Sequence, residues 1–261
     1  MTSLRIFFVG GLISFRALFG WLSPWVYVPS LLVAPVFQVL LFAFIGRSAG
    51  VGSDSFYLVG NAVQYAAIPC VFAMANTIAG ERQTQTLGVV LATPAPRLPL
   101  FLGRSLPVVL NGWLVSLFTL AMGSWILGVH IPAAAWPALA LTLAVGSASC
   151  TGLGLVAAAI GLRVRETAVL SNLVFGVLLL FCGANVAVDA LPRWMAAVSP
   201  WVPLSHAITA ARELVGGADL GAVTALLVRE FILGVGYATV GFLALRLLEL
   251  DSRRRATLER Q

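Results

Sequence analysis

The residues able to do acid–base, metal or nucleophilic chemistry are few and scattered. Ten carboxylates occur in 261 residues: Asp54, Glu81, Glu166, Asp189, Glu213, Asp219, Glu230, Glu249, Asp251 and Glu259. Two histidines, His130 and His206, and three cysteines, Cys70, Cys150 and Cys182, complete the set. No HExxH, no GxSxG and no Cys/His zinc spacing is present, so a metalloenzyme or serine hydrolase has no constellation to work with. A GxxxxGK[ST] phosphate loop cannot exist in a chain without lysine. We therefore expect no catalytic residue and no metal site, and any ATP that drives this protein is hydrolysed on another chain. The cysteines lie in apolar runs and read as small buried hydrophobes.

Composition says where such a chain resides. It is 60% hydrophobic and 10% charged, with a mean hydropathy of +0.98, whereas soluble domains carry about 25% charged residues. This is the composition of an integral membrane protein. A span needs about 20 apolar residues, which leaves room for about six spans and short loops but none for a nucleotide-binding domain. The net charge of +6 rests on sixteen arginines. They sit at span ends without interleaved aromatics, the pattern of membrane topology and not of a nucleic-acid surface. No cleavable signal is expected, because the apolar run from Ile6 to Phe15 ends at Arg16 and lacks a small-x-small site.

Along the chain, Arg5 and Arg16 share a helical face beside an apolar stripe of Leu4, Phe8, Leu12, Phe15 and Phe19. Residues 1–22 thus read as an interfacial helix on the cytoplasmic leaflet, with a frayed start to the first span as the alternative. Spans are expected at about 25–45, 56–79, 105–128, 134–161, 168–188 and 231–250. Span two carries Asn61, Gln64 and Asn76. Span four is rich in small residues, and pairs such as Ala148 with Gly152 suit close helix packing, so it should be central. Gln64, Tyr65 and Trp113 lie deep enough to face a pathway, with packing as the alternative for Tyr65 and Trp113. Trp21, Trp25, Tyr27, Tyr57, Trp125, Trp136, Trp194 and Trp201 fit aromatic belts.

Residues 189–229 alternate apolar stretches with Pro192, Pro200, Pro203, Gly216 and Gly217, as two short helices dipping into the outer leaflet would. Every carboxylate falls at a span end or in a loop. Glu230 beside Arg229 is expected as an interfacial pair; the alternative starts the last span two turns further out and buries both. Twelve arginines fall inside, against Arg47, Arg193, Arg212 and Arg229 outside, which favours six spans with both termini cytoplasmic. Residues 251–261 form a cytoplasmic tail.

Between spans two and three lies a polar island at residues 80–104. Glu81, Arg82, Gln83, Thr84 and Gln85 open it, and Leu87, Val90 and Leu91 follow at the spacing of one helical face. Pro94 and Pro96 end the helix. Such a helix lies on a membrane surface or docks on a partner.

In this order of elements the chain resembles the permease subunits of type-2 ABC exporters, especially drug- and antibiotic-export members. The island carries part of the resemblance through Glu81-Arg82, Thr86-Leu87, Thr93-Pro94 and Arg97, and departs from the family pattern at Gln85 and Gly88. The segment Ser199-Pro200-Trp201-Val202-Pro203-Leu204-Ser205-His206, followed by Arg212, carries the rest. The resemblance implies an all-α integral membrane protein of six transmembrane helices. It adds an N-terminal interfacial helix, a cytoplasmic coupling helix between spans 2 and 3, and a re-entrant outer hairpin, with Ser199, Pro200, Pro203 and His206, before span 6.

It further implies that Glu81, Arg82, Thr86, Leu87, Val90, Leu91, Thr93, Pro94 and Arg97 contact an ATPase. The partners implied are two ABC ATPase subunits, which hold the ATP and Mg, and a second permease, identical or homologous. No cofactor is bound directly, and no nucleic acid. The expected role is ATP-driven efflux of an amphipathic drug, antibiotic or lipid across the cell membrane. The alternatives are polysaccharide or glycolipid export and a non-transport membrane assembly scaffold.

Overall fold

The computed structural model describes residues 11–12, 25, 28–76, 97–162 and 167–255, which are mostly helical and contain no strand. A π-helical turn at Val28–Val33 leads into α1 (Ala34–Ala49), with Pro35 in the first turn, where its missing N–H leaves no bond unmade. Gly50, at φ 65°, closes α1. Helix α2 (Asp54–Gln64) starts from Ser53, whose hydroxyl accepts the Phe56 N–H, and Asp54 pairs with Arg47 across the connection. Past Gln64 the chain widens into π-helix at Ile68–Phe72, around Pro69, and continues to Asn76.

The remaining elements are α3 (Arg97–Leu127), α4 (Trp136–Gly161), α5 (Thr167–Phe181), the short α6 (Arg193–Val198), α7 (Ser205–Val215) and α8 (Leu220–Arg255). Among the described residues, four stretches are long and apolar enough to cross a membrane: Asp54–Asn76, Gly103–Leu127, Ala133–Gly161 and Leu220–Leu248. Ala34–Ala49 and Thr167–Phe181 are apolar but shorter.

Two expected boundaries are corrected. The fifth helix stops at Phe181 instead of Val188, because Gly183 turns the chain at φ 80°, a conformation that costs glycine little. The last helix begins at Leu220, about three turns before Phe231. Asp219 caps it by accepting the Ala222 N–H at 3.0 Å, so the expected 189–229 hairpin ends near Gly217. The polar residues Thr224 and Arg229, which resemble loop, lie on an exposed face of this helix.

Helix α4 is the centre of the bundle and contacts the π-helical segment Ile68–Phe72, α3, α5, α7 and α8. Its closest neighbour is α8, along a seam of small residues. A Cβ on Gly152 would stand 2.6 Å from the Gly234 carbonyl oxygen, one on Gly234 would stand 2.6 Å from the Ser149 Cα, and one on Gly241 would meet the backbone of Leu155 and Val156 at 2.8 Å. Gly152 thus serves as expected, but Ala148 faces away from the seam, and Ser149 takes its place. Without a hydrophobic drive between helices in lipid, this close fit supplies the attraction.

Replacing Gly152 or Gly234 with leucine should destabilise the fold by about 1–3 kcal/mol or more. The measurement is the thermal unfolding midpoint in lipid nanodiscs. Gly236→Leu, on the same helix where nothing lies within 4 Å, should leave it unchanged; equal effects would refute the seam.

Candidate functional site

One set of polar groups inside the bundle gathers around α7. This helix starts deep, not at a loop end: Gly146, near the middle of α4, would bring a Cβ within 3.1 Å of Ala207 and 3.2 Å of Leu204. Helix N-termini leave backbone N–H groups without intrahelical partners, and deep inside an apolar bundle water cannot serve them. Glu230 does. The N–H of Leu204 donates to one of its carboxylate oxygens at 2.8 Å, and those of His206 and Ala207 donate to the other at 3.2 and 3.3 Å. The Ser149 side chain, on α4, faces the same carboxylate.

Glu230 is fully buried, about 15 Å along α8 from Leu220, while Arg229 is exposed on that helix. The expected interfacial pair is therefore corrected, as is the expectation that every carboxylate lies at a span end. Consecutive residues on a helix point about 100° apart, so one of them enters the bundle while the other leaves it. Leu204 immediately precedes α7 with φ 74°, the one non-glycine residue with positive φ among those described. A left-handed leucine costs roughly 1–2 kcal/mol, and here it turns its N–H onto Glu230.

Two further ties hold this region. Ser199 is buried and its hydroxyl donates to the Phe181 carbonyl at the end of α5 at 2.7 Å. Near the other end of α7, the Arg212 guanidinium lies 3.6 Å from the Phe56 ring centroid and donates to the carbonyls of Phe56 (3.2 Å) and Ala184 (3.0 Å). Each charge sits at the end of α7 that the helix dipole favours, the carboxylate at the N-terminus and the guanidinium near the C-terminus.

A second polar group consists of amides. Gln38, on α1, donates to Asn61 at 3.2 Å and to Gln64 at 3.0 Å, both on α2, and Asn61 donates to Asn185 at 2.8 Å. Asn61 also donates to the Tyr57 carbonyl, and Nε2 of Gln64 is buried without a partner. Gln38 has a second surface: with Phe37, Leu41, Phe42, Phe175 and Leu179 it lines a cleft of about 460 Å³ between α1 and α5. A single amide wall in an aromatic and aliphatic cleft, backed by buried amides, can hold an apolar molecule with one hydrogen-bonding group.

The residues singled out from sequence fall into several places. Gln64 lies in the amide group, and Tyr65 is buried beside it. Trp113 ties α3 to α4 by donating to the Ala140 carbonyl at 2.8 Å. Pro200 precedes the turn, and Pro203 is buried before Leu204. Tyr57, expected in an aromatic belt, is buried instead and donates to the Val51 carbonyl, whereas Trp25, Trp125, Trp194 and Trp201 are exposed. Glu81, Arg82, Thr86, Leu87, Val90, Leu91, Thr93 and Pro94 lie outside the described residues, as do almost all of the expected interfacial helix and residues 256–261 of the tail; Arg97 opens α3. The cysteines are free and buried. Burial of Glu230 was expected only as the alternative, and then together with Arg229; Gln38, Asn185 and the inward turn of Arg212 were not anticipated.

A multi-pass helical bundle with a buried, anchored helix before its last long helix is the kind of membrane domain that a transporter permease contains. The chain belongs to the ABC-2 type transporter family, whose model matches residues 11–215. It is therefore a membrane permease of an ABC transporter, a family that associates with ABC ATPase subunits. A comparison with curated proteins finds no match. Glu230 lies beyond the matched residues.

Removing the carboxylate with Glu230→Ala strands three buried amides and should cost about 3 kcal/mol or more of stability, at about 1–3 kcal/mol for each group left unpaired. Glu230→Gln keeps one accepting oxygen and should cost roughly half as much. The check is the unfolding midpoint in nanodiscs; small and equal effects would show that Glu230 does not anchor α7.

Proposed function

We propose that this chain is the membrane-spanning subunit of an ATP-driven exporter that moves an amphipathic drug, antibiotic or lipid across the cell membrane. It crosses the membrane six times with both termini in the cytoplasm and works with a second permease, identical or homologous. The six-span reading draws support from length. The π-helical turn and α1 together, from Val28 to Ala49, cover roughly 30 Å, the thickness of a hydrocarbon core. On this reading α7 re-enters from the outer side, and its N-terminus stops inside the membrane at Glu230.

The observation that carries the substrate class is the cleft between α1 and α5. Its phenylalanines and leucines suit an apolar body, and Gln38 suits one polar group. A polysaccharide would need many hydrogen-bonding partners, and this wall offers one. The segment Glu81–Leu91 docks on a separate ATPase, which binds and hydrolyses the ATP with Mg; the chain itself catalyses nothing. Closure of two ATPase subunits on ATP shifts the permease pair between states, because ATP binds one state more tightly than the other.

The test reconstitutes the permease with its ATPase in liposomes and measures ATP-dependent accumulation of lipophilic compounds. Gln38→Leu should raise the half-saturating concentration of compounds carrying a hydrogen-bonding group by about tenfold, the loss of one buried hydrogen bond, and leave purely apolar ones unaffected. Leu87→Asp should abolish both ATPase co-purification and transport. Binding and transport that survive radical changes across residues 81–91 would overturn the coupling assignment.

A further inference from the structure

Arg212 is a mostly buried cation without a counterion. No carboxylate lies within 4.0 Å of it among the described residues, where the ion pair of the bundle joins Arg47 to Asp54. Two carbonyls and the face of Phe56 attract the guanidinium but do not neutralise it, and its Nε is buried with no acceptor. The group also lines a cavity of about 420 Å³ with Ser53, Ser55, Phe56 and His130, at the bundle end formed by the α1–α2, α3–α4 and α7–α8 connections. The carboxylates nearest in sequence, Asp54 and Glu213, do not line it. Ser53 and Ser55 place hydroxyls 2.9 Å apart at the start of α2, where the helix dipole adds positive potential. Val59, Val129 and Val215 complete an apolar wall.

We propose that this cavity binds an anionic head group, a phosphate or carboxylate carried on an amphiphile, with Arg212 supplying the charge and Ser53 and Ser55 supplying hydroxyl donors. The apolar wall holds the start of the tail. The amphiphile is either an acidic membrane lipid or an exported acidic compound. Only the second source rests on the exporter reading.

The experiment uses the full chain in phosphatidylcholine nanodiscs, without ATPase, titrated calorimetrically with soluble dihexanoyl phosphatidate, decanoate and dihexanoyl phosphatidylcholine. The two anions should bind at least about tenfold more tightly than the zwitterion, as expected for a charge-assisted hydrogen bond. Ser55→Glu keeps the ties of Arg212, suits a helix N-terminus and puts a carboxylate in the cavity; it should abolish the preference. Arg212→Lys should retain part of it.

An absent preference, or one that survives Ser55→Glu, would overturn the proposal. Acidic phospholipid that co-purifies with the wild type and is lost in Ser55→Glu identifies a resident lipid. A raised half-maximal concentration for decanoate-stimulated ATP hydrolysis in the Ser55→Glu complex identifies a transported compound. If the preference holds while the complex transports nothing, only the exporter reading falls.

Discussion

Backbone amides at the start of a helix must be satisfied, and α7 starts among buried residues of the bundle. A membrane bundle tolerates such a break only where protein groups replace the solvent. Glu230 does this with two oxygens shared among three amides. Other features follow from that contact. Leu204 adopts a left-handed conformation to present its N–H, Gly146 has no side chain so that Leu204 and Ala207 can approach α4, and α8 must keep a rotation that points Glu230 inward. The seam of Gly152, Gly234 and Gly241 holds α8 in that rotation.

Helix α7 is consequently tied to three parts of the bundle. Glu230 joins its start to α8, Ser199 joins the preceding turn to the end of α5, and Arg212 joins its last turn to α2 and to the Ala184 carbonyl. The α4–α8 seam forms a close-packed side, whereas the cleft between α1 and α5 has no comparable small-residue fit. If the bundle changes shape during transport, the α1–α5 side has fewer close contacts to break. A displacement of α7 would instead have to strand buried amides or replace their acceptor.

Much of this architecture was legible in the residues. Apolar run lengths marked the first three long helices, and the small residues of the third, α4, pointed to its central place. The proline-rich Ser199–His206 segment marked an unusual turn. The burial of Glu230 was legible only as the less favoured alternative, for two physical reasons. An acid beside an arginine looks like an interfacial pair, although helical neighbours point in different directions. Its partners, moreover, are backbone amides 23 to 26 residues away, which no side-chain pattern reveals. A signal did exist: Gly216-Gly217-Ala218-Asp219 reads as a stop followed by an N-cap, and placing the helix start there buries Glu230. Asn61 and Gln64 stood out as polar members of a span, but Gln38 and Asn185 join them only through the fold.

Hydrogen exchange at residues 204–207 of the full chain in nanodiscs tests the anchored helix most directly. Leu204, His206 and Ala207 amides should exchange as slowly as those in the middle of α4 in the wild type, and markedly faster in Glu230→Gln while α4 stays protected. Fast exchange at these amides in the wild type, at the rate of the α7–α8 connection, would contradict a helix start held inside the bundle by Glu230.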